Sequence, residues 1–317
     1  MKIILETKRT YLREFLLEDA KDFYEMNYDP EVIKYTGDPP FSSIDEAVDF
    51  IKNYNTYSIY GYGRWAVCDK ITNEFLGFCG LKFHPKENLV EVGYRLKRKF
   101  WGKGFATETT KDVIQFGFKN FNFNAVYGFV DPLNKASCNV LLKCGMNYLF
   151  KANHDGDLVL FYRVLHPDIK IKKISAEKTI PIRQAVLRQG KPISSCVFKG
   201  DELKSTVHFG LFSKGKLVAV ATFNDNLHLG FKGSQIQLRG MAVLDQYKTK
   251  GYGRLLLEIG EQLATQKKVT ILWFNARIAA IPFYEKFGYK IIGDSFEIPD
   301  VGTHFVMYKE MNQETPN

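Results

Sequence analysis

Apolar residues recur along this chain with two spacings, and the two take turns. Alternating or continuous apolar runs predict strands at ILETKRTYLREF near the N-terminus, LVEVGYRL (89–96), NAVYGFV (124–130) and LVLFYRVL (158–165). Among them, LEDAKDFYEMNYD and SIDEAVDFIKNYNTY carry a helical period after acidic or serine starts, and a longer helix is expected over 106–119. RWAVCDKITNEFLGFCGLKFH reads as a hairpin turning at KITNE. A further helix starts near Asn134 and stops at Cys144-Gly145. After a short boundary at His166-Pro167-Asp168 the same order returns. It runs through the strand IKIKKI, the helix TIPIRQAVLRQ and the hairpin TVHFGLFSKGKLVAVATF. Then come the strand 235–244, a helix over 251–266, the strand VTILWF, a helix over 278–287, YKIIG and a last strand, THFVMYKEM. This order predicts two α/β units in tandem, residues 1–167 and 168–317.

Composition supports two folded units. A chain of 317 residues with 45% hydrophobic and 15% aromatic side chains has ample material for burial. No apolar stretch approaches the ~20 residues of a membrane span, and the N-terminal MKIILETKRTYLREF has no signal-peptide core. Five cysteines, odd in number and without a C-x-x-C pair, fit reduced thiols in a cytoplasmic protein and predict neither a disulfide frame nor a metal site. Residues 1–168 hold 22 basic and 22 acidic side chains, so all of the net charge of +9 lies in residues 169–317. Those basic residues are scattered, with no run or nucleic-acid motif, so attraction for a small anion is expected rather than nucleic-acid binding.

One element carries chemistry, and it occurs twice. WGKGFA (101–106) and KTKGYG (248–253) each join an apolar strand to a helix, and an offset of 147 also brings Gly93 onto Gly240. A glycine turn opening a helix leaves several amides unpaired and pointing one way, with about half a positive charge from the helix dipole. Gly104 and Gly251 let backbone approach a ligand closely, Ala106 and Gly253 keep the next position small, and Lys103, Lys250 and Arg254 add attraction. A diphosphate is the natural occupant. Neither G-x-x-x-x-G-K-[ST] nor a G-x-G-x-x-G dinucleotide loop is present.

The form [Q/R]-x-x-G-x-[G/A] after a fourth strand resembles the coenzyme A pyrophosphate motif of the GNAT acetyltransferases. Trp101 and Lys248 depart from its first position. The first half resembles the ribosomal-protein alanine acetyltransferase branch through ETKRTYLREFLLEDA, EVGYRLKRKFWGKGFATE and DPLNKASCNVLLKCGM. The second half is similar to small GNAT enzymes through LRGMAVLDQYKTKGYGRLLLE and NARIAAIPFYEKFGY. The resemblance implies two GNAT folds, each a mixed, mostly antiparallel sheet flanked by helices. It also implies acetyl-CoA as cofactor and acetyl transfer to a primary amine by direct attack on the thioester.

Site residues follow from the same resemblance. The cofactor would meet Trp101, Gly102, Lys103, Gly104, Phe105 and Ala106 in one half, and Lys248, Thr249, Lys250, Gly251, Tyr252, Gly253 and Arg254 in the other. Pantetheine would lie in a gap beside the backbone of Tyr94 to Leu96 and of Met241 to Val243, with a backbone amide there as oxyanion donor. An offset of 143 sets Tyr284, the expected proton donor to the thiolate, on Leu141, so the first half offers Ser137, with Asn134 at the cofactor; Arg277 stands where Asn134 does. Core packing for Tyr284 and a local helix bond for Ser137 are the plainer alternatives. Glu91 is the candidate base of the first half. Leu238 replaces it in the second, leaving His304, Glu297 or a water chain, while His208 and His228 read as ordinary packing residues. An α-amine is neutral in roughly one molecule in ten at pH 7 and a lysine in about one in 2,500, so weak bases favour N-terminal or small-molecule amines as acceptors. The same differences leave open that one half only binds acyl-CoA or props the other.

Overall fold

A computed structural model describes residues 2–299 and 301–311. They divide into two compact units, the first ending at His166 and the second beginning at Pro167. Unit 1 contains β1 (Ile3–Glu6), β2 (Thr10–Arg13), α1 (Ala20–Tyr28), α2 (Pro30–Ile33), α3 (Ile44–Lys52), α4 (Thr56–Tyr60), β3 (Arg64–Asp69), β4 (Phe75–His84) and β5 (Leu89–Leu96). It continues with α5 (Phe105–Phe121), β6 (Ala125–Val130), α6 (Lys135–Lys143), β7 (Asn147–His154) and β8 (Asp157–Leu165). Unit 2 contains β9 (Ile169–Ile174), α7 (Ala176–Leu187), β10 (Val207–Ser213), β11 (Lys216–Asn224) and β12 (Gln235–Val243). After these come α8 (Tyr252–Gln266), β13 (Ile271–Arg277), α9 (Ile281–Glu285), β14 (Lys290–Ile298) and β15 (Gly302–Glu310).

Strand order repeats between the units. The first sheet runs β1-β2-β3-β4-β5-β6-β8-β7 and the second, read from its other edge, β9-β10-β11-β12-β13-β15-β14. All neighbours are antiparallel except β5–β6 and β12–β13. Each sheet is covered on both faces, which closes a three-layer α/β unit. In unit 1, α5 sets Val113, Ile114 and Phe118 against Trp65, Leu81, Val90 and Val92, while α1 and α3 bury Phe23, Met26, Ala47 and Ile51 on the opposite side. In unit 2, Leu255, Leu256 and Leu257 of α8 are buried, and Ile182 of α7 packs on Val220 and Ala242. Each fully buried Leu, Ile or Phe contributes about 1.5–3 kcal/mol of apolar transfer.

Three predicted elements come out differently. ILETKRTYLREF is a hairpin rather than one strand. It reverses over Thr7–Arg9, pairs Ile3 with Arg13, and is held by the Thr7 and Thr10 hydroxyls 2.8 Å apart. SIDEAVDFIKNYNTY breaks into α3 and α4, the first capped by Ser43, whose Oγ accepts from the Glu46 amide. The helix expected over 278–287 is a 3-10 turn, Ile278–Ala280, followed by the short α9.

Candidate active site

The two glycine turns share one backbone conformation. A single 3-10 turn precedes each, Arg98–Phe100 and Asp245–Tyr247, and extended residues follow at Trp101 (φ −66°, ψ 156°) and Lys248 (φ −58°, ψ 159°). Positive φ then falls at Gly102 (71°) and Gly104 (81°) in unit 1, and at Thr249 (64°) and Gly251 (77°) in unit 2. Gly104 and Gly251 stand at the N-caps of α5 and α8 and have no side chain to cap them, so a bound anion is a natural partner for the first-turn amides. A Cβ added at Gly102 or Gly251 would meet nothing within 4 Å, so open space lies outside both turns. Gly253 also packs closely: a Cβ there would come 3.0 Å from the Phe283 ring of α9.

Side chains around the cradles divide their tasks. Phe105 and Tyr252 are buried, leaving their backbone for a ligand, and the Tyr252 hydroxyl meets Ser213 Oγ at 3.0 Å. Trp101 turns its indole N–H back onto the Leu96 carbonyl (2.8 Å), so it braces the turn and occupies one acceptor position of Leu96. Lys103 and Lys250 lie over the Phe100 and Tyr247 rings, Lys248 pairs with Asp245 at 2.6 Å, and Arg254 pairs with the buried Glu258 at 2.7 Å. The sequence did not point to Arg9. Its guanidinium sits 4.0 Å from the centre of the Phe105 ring, donates to the Lys103 carbonyl at 2.9 Å, and bonds Glu108 in the first turn of α5 at 2.8 Å. That puts a cation beside the unit 1 cradle which only tertiary structure brings there.

Beside each cradle the sheet opens. β5 and β6 pair only at Glu91 and Tyr127, and β12 and β13 only from Gln235–Ile271 to Gln237–Trp273. The edges of β5 from Val92 and of β12 beyond Gln237 therefore face a gap, which includes Tyr94, Leu96, Met241 and Val243. β12 also bulges against β11 beside Gly240, where φ is 55°.

In unit 1 the gap ends at Glu91. Its Oε2 accepts from Arg64 at 2.9 Å and meets His84 Nε2 at 2.9 Å. Burial alone would raise this carboxyl, but Arg64 and His84 outweigh it and hold it below the ordinary glutamate range. Gly93 makes room for Arg64, whose Nη1 would lie 1.7 Å from a Cβ there. Asn134 caps α6, its Oδ1 accepting from the Ser137 amide at 3.0 Å, so that oxygen is already engaged. Tyr94 reaches across to α6 and donates to the Ser137 carbonyl at 3.2 Å, and burial pushes its phenol far above the usual range. This places a second hydroxyl beside Ser137, which the strand pattern did not distinguish from ordinary packing.

In unit 2, Tyr284 is buried against Phe274 (4.3 Å between ring centres) and Phe283 (5.0 Å), and burial raises its pKa well above that of a free tyrosine. Its hydroxyl has no hydrogen-bond partner among the described residues. His304, also buried, lies across from Arg277 in the β13–β15 ladder. Its Nδ1 donates to the Gly302 carbonyl at 2.6 Å, which leaves the lone pair on Nε2. Arg277 donates to the Leu187 carbonyl at 3.1 Å, tying β13 to the end of α7 rather than to the α8 cradle. Glu297 is exposed and accepts from Thr303 at 2.5 Å. His208 belongs to a buried network with Thr222 and Asp201, and His228 packs on Trp273. One group of metal-type donors, His84, His154 and Asp155, comes within 4.8 Å, though spacing predicted none. His84 is engaged by Glu91, and His154 packs 4.4 Å from Phe129.

With this geometry in hand, sequence comparison defines the class. The family model described as "Acetyltransferase (GNAT) domain" matches residues 9–147, and that described as "Acetyltransferase (GNAT) family" matches 184–289. The chain is 35% identical over 144 residues to the uncharacterized N-acetyltransferase YitI of Bacillus subtilis, covering 45% of this chain and 97% of that protein. It is 39% identical to the uncharacterized N-acetyltransferase p20 of Bacillus licheniformis, covering 43% and 78%. It is 29% identical to the FsC-acetyl coenzyme A-N(2)-transacetylase of Aspergillus fumigatus, covering 46% and 65%. The chain belongs to the GNAT acetyltransferase family and carries two of its domains in tandem. Acetyl-CoA is the cofactor of that family. No helix among the described residues is long and apolar enough to cross a membrane.

Proposed function

We propose that each unit transfers an acetyl group from acetyl-CoA to a primary amine, an N-terminal α-amine or a small-molecule amine, by direct attack on the thioester. The observation that carries this reading is the doubled cradle: two turns with matching torsions, each beside a sheet that opens at the same strand pair. Acetyl-CoA supplies an acetyl group activated as a thioester. The chain supplies the remainder. Amides at the heads of α5 and α8 hold the diphosphate, with Arg9 as an added cation in unit 1. Open edges of β5 and β12 hold the pantetheine arm and turn a backbone N–H toward the developing oxyanion. Tyr284 Oη supplies a proton in unit 2, and Ser137 or Tyr94 in unit 1. His304 Nε2 accepts a proton in unit 2. In unit 1 the base is Glu91, on β5 rather than on the last strand, and a weakly basic carboxylate suits an α-amine better than a lysine.

A second reading has one observation behind it. Leu141 takes the place of Tyr284 and is fully buried in the α6 core, so unit 1 would then bind acyl-CoA without transferring it. Thiol release, followed in full-length Gly104→Glu protein with an α-amine panel, isolates unit 2. There Tyr284→Phe should lower turnover by about 10²–10⁴ while acetyl-CoA still binds. Undiminished turnover would remove Tyr284 from the mechanism. Thiol release by full-length Gly251→Glu protein would rule out the second reading.

A further inference from the structure

Arginines of unit 2 converge where β12 and β13 part. Arg239 lies two residues past Gln237, the last β12 residue paired with β13, and Arg277 ends β13 beyond Trp273, its last residue paired with β12. Arg188 ends α7. The guanidiniums of Arg183, Arg188 and Arg239 lie 4.2, 5.5 and 5.2 Å from the centre of the Phe198 ring. Arg277 reaches the same corner, sharing the Leu187 carbonyl with Arg188 at 3.1 and 3.0 Å. Gly240 permits the approach, since a Cβ there would stand 2.7 Å from Phe198 and 2.9 Å from Arg183 Nε.

Asp201 is the carboxylate bound here, and Arg183 takes it at 2.5 and 3.2 Å. Arg188, Arg239 and Arg277 have no ion pair among the described residues. Each gives an N–H to a backbone carbonyl, Leu187 or Lys199, out of the five a guanidinium offers. Unit 1 balances its arginines instead: Arg64 meets Glu91 at 2.9 Å and Arg95 meets Asp38 at 2.5 Å. Half-buried like charges that outnumber the one carboxylate near them repel. Burial, with Arg277 nearby, lowers the Arg188 pKa, and burial lowers that of Arg239 even though the Asp201 carboxylate works against it, with Arg183 adding to the lowering. Capping of α7 accounts for one contact each of Arg188 and Arg277 and for none of Arg239.

We propose that the acceptor of unit 2 is a primary amine that also carries a carboxylate or phosphate, gripped by Arg188, Arg239 and Arg277 with its amine toward His304. This rests on the acetyltransferase reading of unit 2 and adds the substrate class. Bidentate guanidinium contacts suit both anions.

Titration calorimetry on the full chain saturated with coenzyme A tests recognition without turnover. The probes are N-acetylglycine, N-acetyl-O-phosphoethanolamine and the neutral N-acetylglycinamide. At least one anionic probe should bind ~10-fold or more tightly than the amide, as charged hydrogen bonds imply. That preference should shrink in both Arg239→Gln and Arg188→Gln, with thermal unfolding confirming that each variant folds. Binding of both anionic probes no tighter than the amide, binding of none of the three, or a preference surviving both substitutions would overturn the proposal. An anion preference without thiol release would instead count against acetyl transfer while leaving recognition intact. The relative size of the two anionic signals tells carboxylate from phosphate.

Discussion

Thr249 holds a backbone shape that glycine holds at the matched place in the other unit. Its φ of 64° corresponds to 71° at Gly102, and its Oγ1 donates to the Lys248 carbonyl at 2.6 Å. A β-branched residue there costs on the order of 1–3 kcal/mol, against the ~0.5–1 kcal/mol that glycine loses in chain entropy. Thr249→Gly should therefore raise the stability of unit 2 by about 1 kcal/mol in urea unfolding. A loss of stability would show that the threonine contacts outweigh the strain. Glycines 102, 104 and 251 could be read in advance because a turn between an apolar strand and a helix is a local signal. Thr249 was read as a cofactor contact and not as a strained position, since nothing in a threonine announces a left-handed torsion. Gly253 was assigned to the ligand and also sits close against Phe283, a contact across 30 positions that spacing does not encode.

The helix α5 depends on a turn far away in sequence. Glu108 in its first turn accepts from the Thr7 hydroxyl at 2.6 Å, the Arg9 amide at 2.8 Å and the Arg9 guanidinium at 2.8 Å. Burial would push this carboxyl up, but those three donors together hold it below the ordinary range. Its pKa is lower folded than unfolded, so the unfolded chain takes up the proton first as pH falls. The stabilisation is then complete above the unfolded value of about 4.3 and is lost as pH drops through the folded one. Glu108→Gln should cost unit 1 about 1–3 kcal/mol at pH 7 and flatten its loss of stability below about pH 4.5, read by urea unfolding at several pH values. An unchanged acid slope would mean that other carboxylates set it. The Thr7–Arg9 reversal escaped the sequence reading because it has neither glycine nor proline, and threonine hydroxyls do the work of a turn residue.

At the scale of the whole chain, duplication was legible because order and length of elements repeat even where identities do not. The charge split was legible too, as a count. What the excess charge is for was not. Arg188, Arg239 and Arg277 are scattered in sequence and come together only because α7, β12 and β13 meet at one corner. Glu91 was singled out by position, but its partners Arg64 and His84 lie on β3 and β4 and follow from register alone. Two cradles imply two separate cofactor sites, each open to disruption by one substitution. A glutamate at Gly104 or Gly251 would set a carboxylate against the diphosphate, and at Gly251 no protein atom lies within 4 Å of the new Cβ. Calorimetric titration of coenzyme A into the full chain should give two sites in the wild type, one in Gly104→Glu, one in Gly251→Glu and none in the double variant. A wild type that binds no coenzyme A, or a stoichiometry that neither substitution changes, would contradict the account.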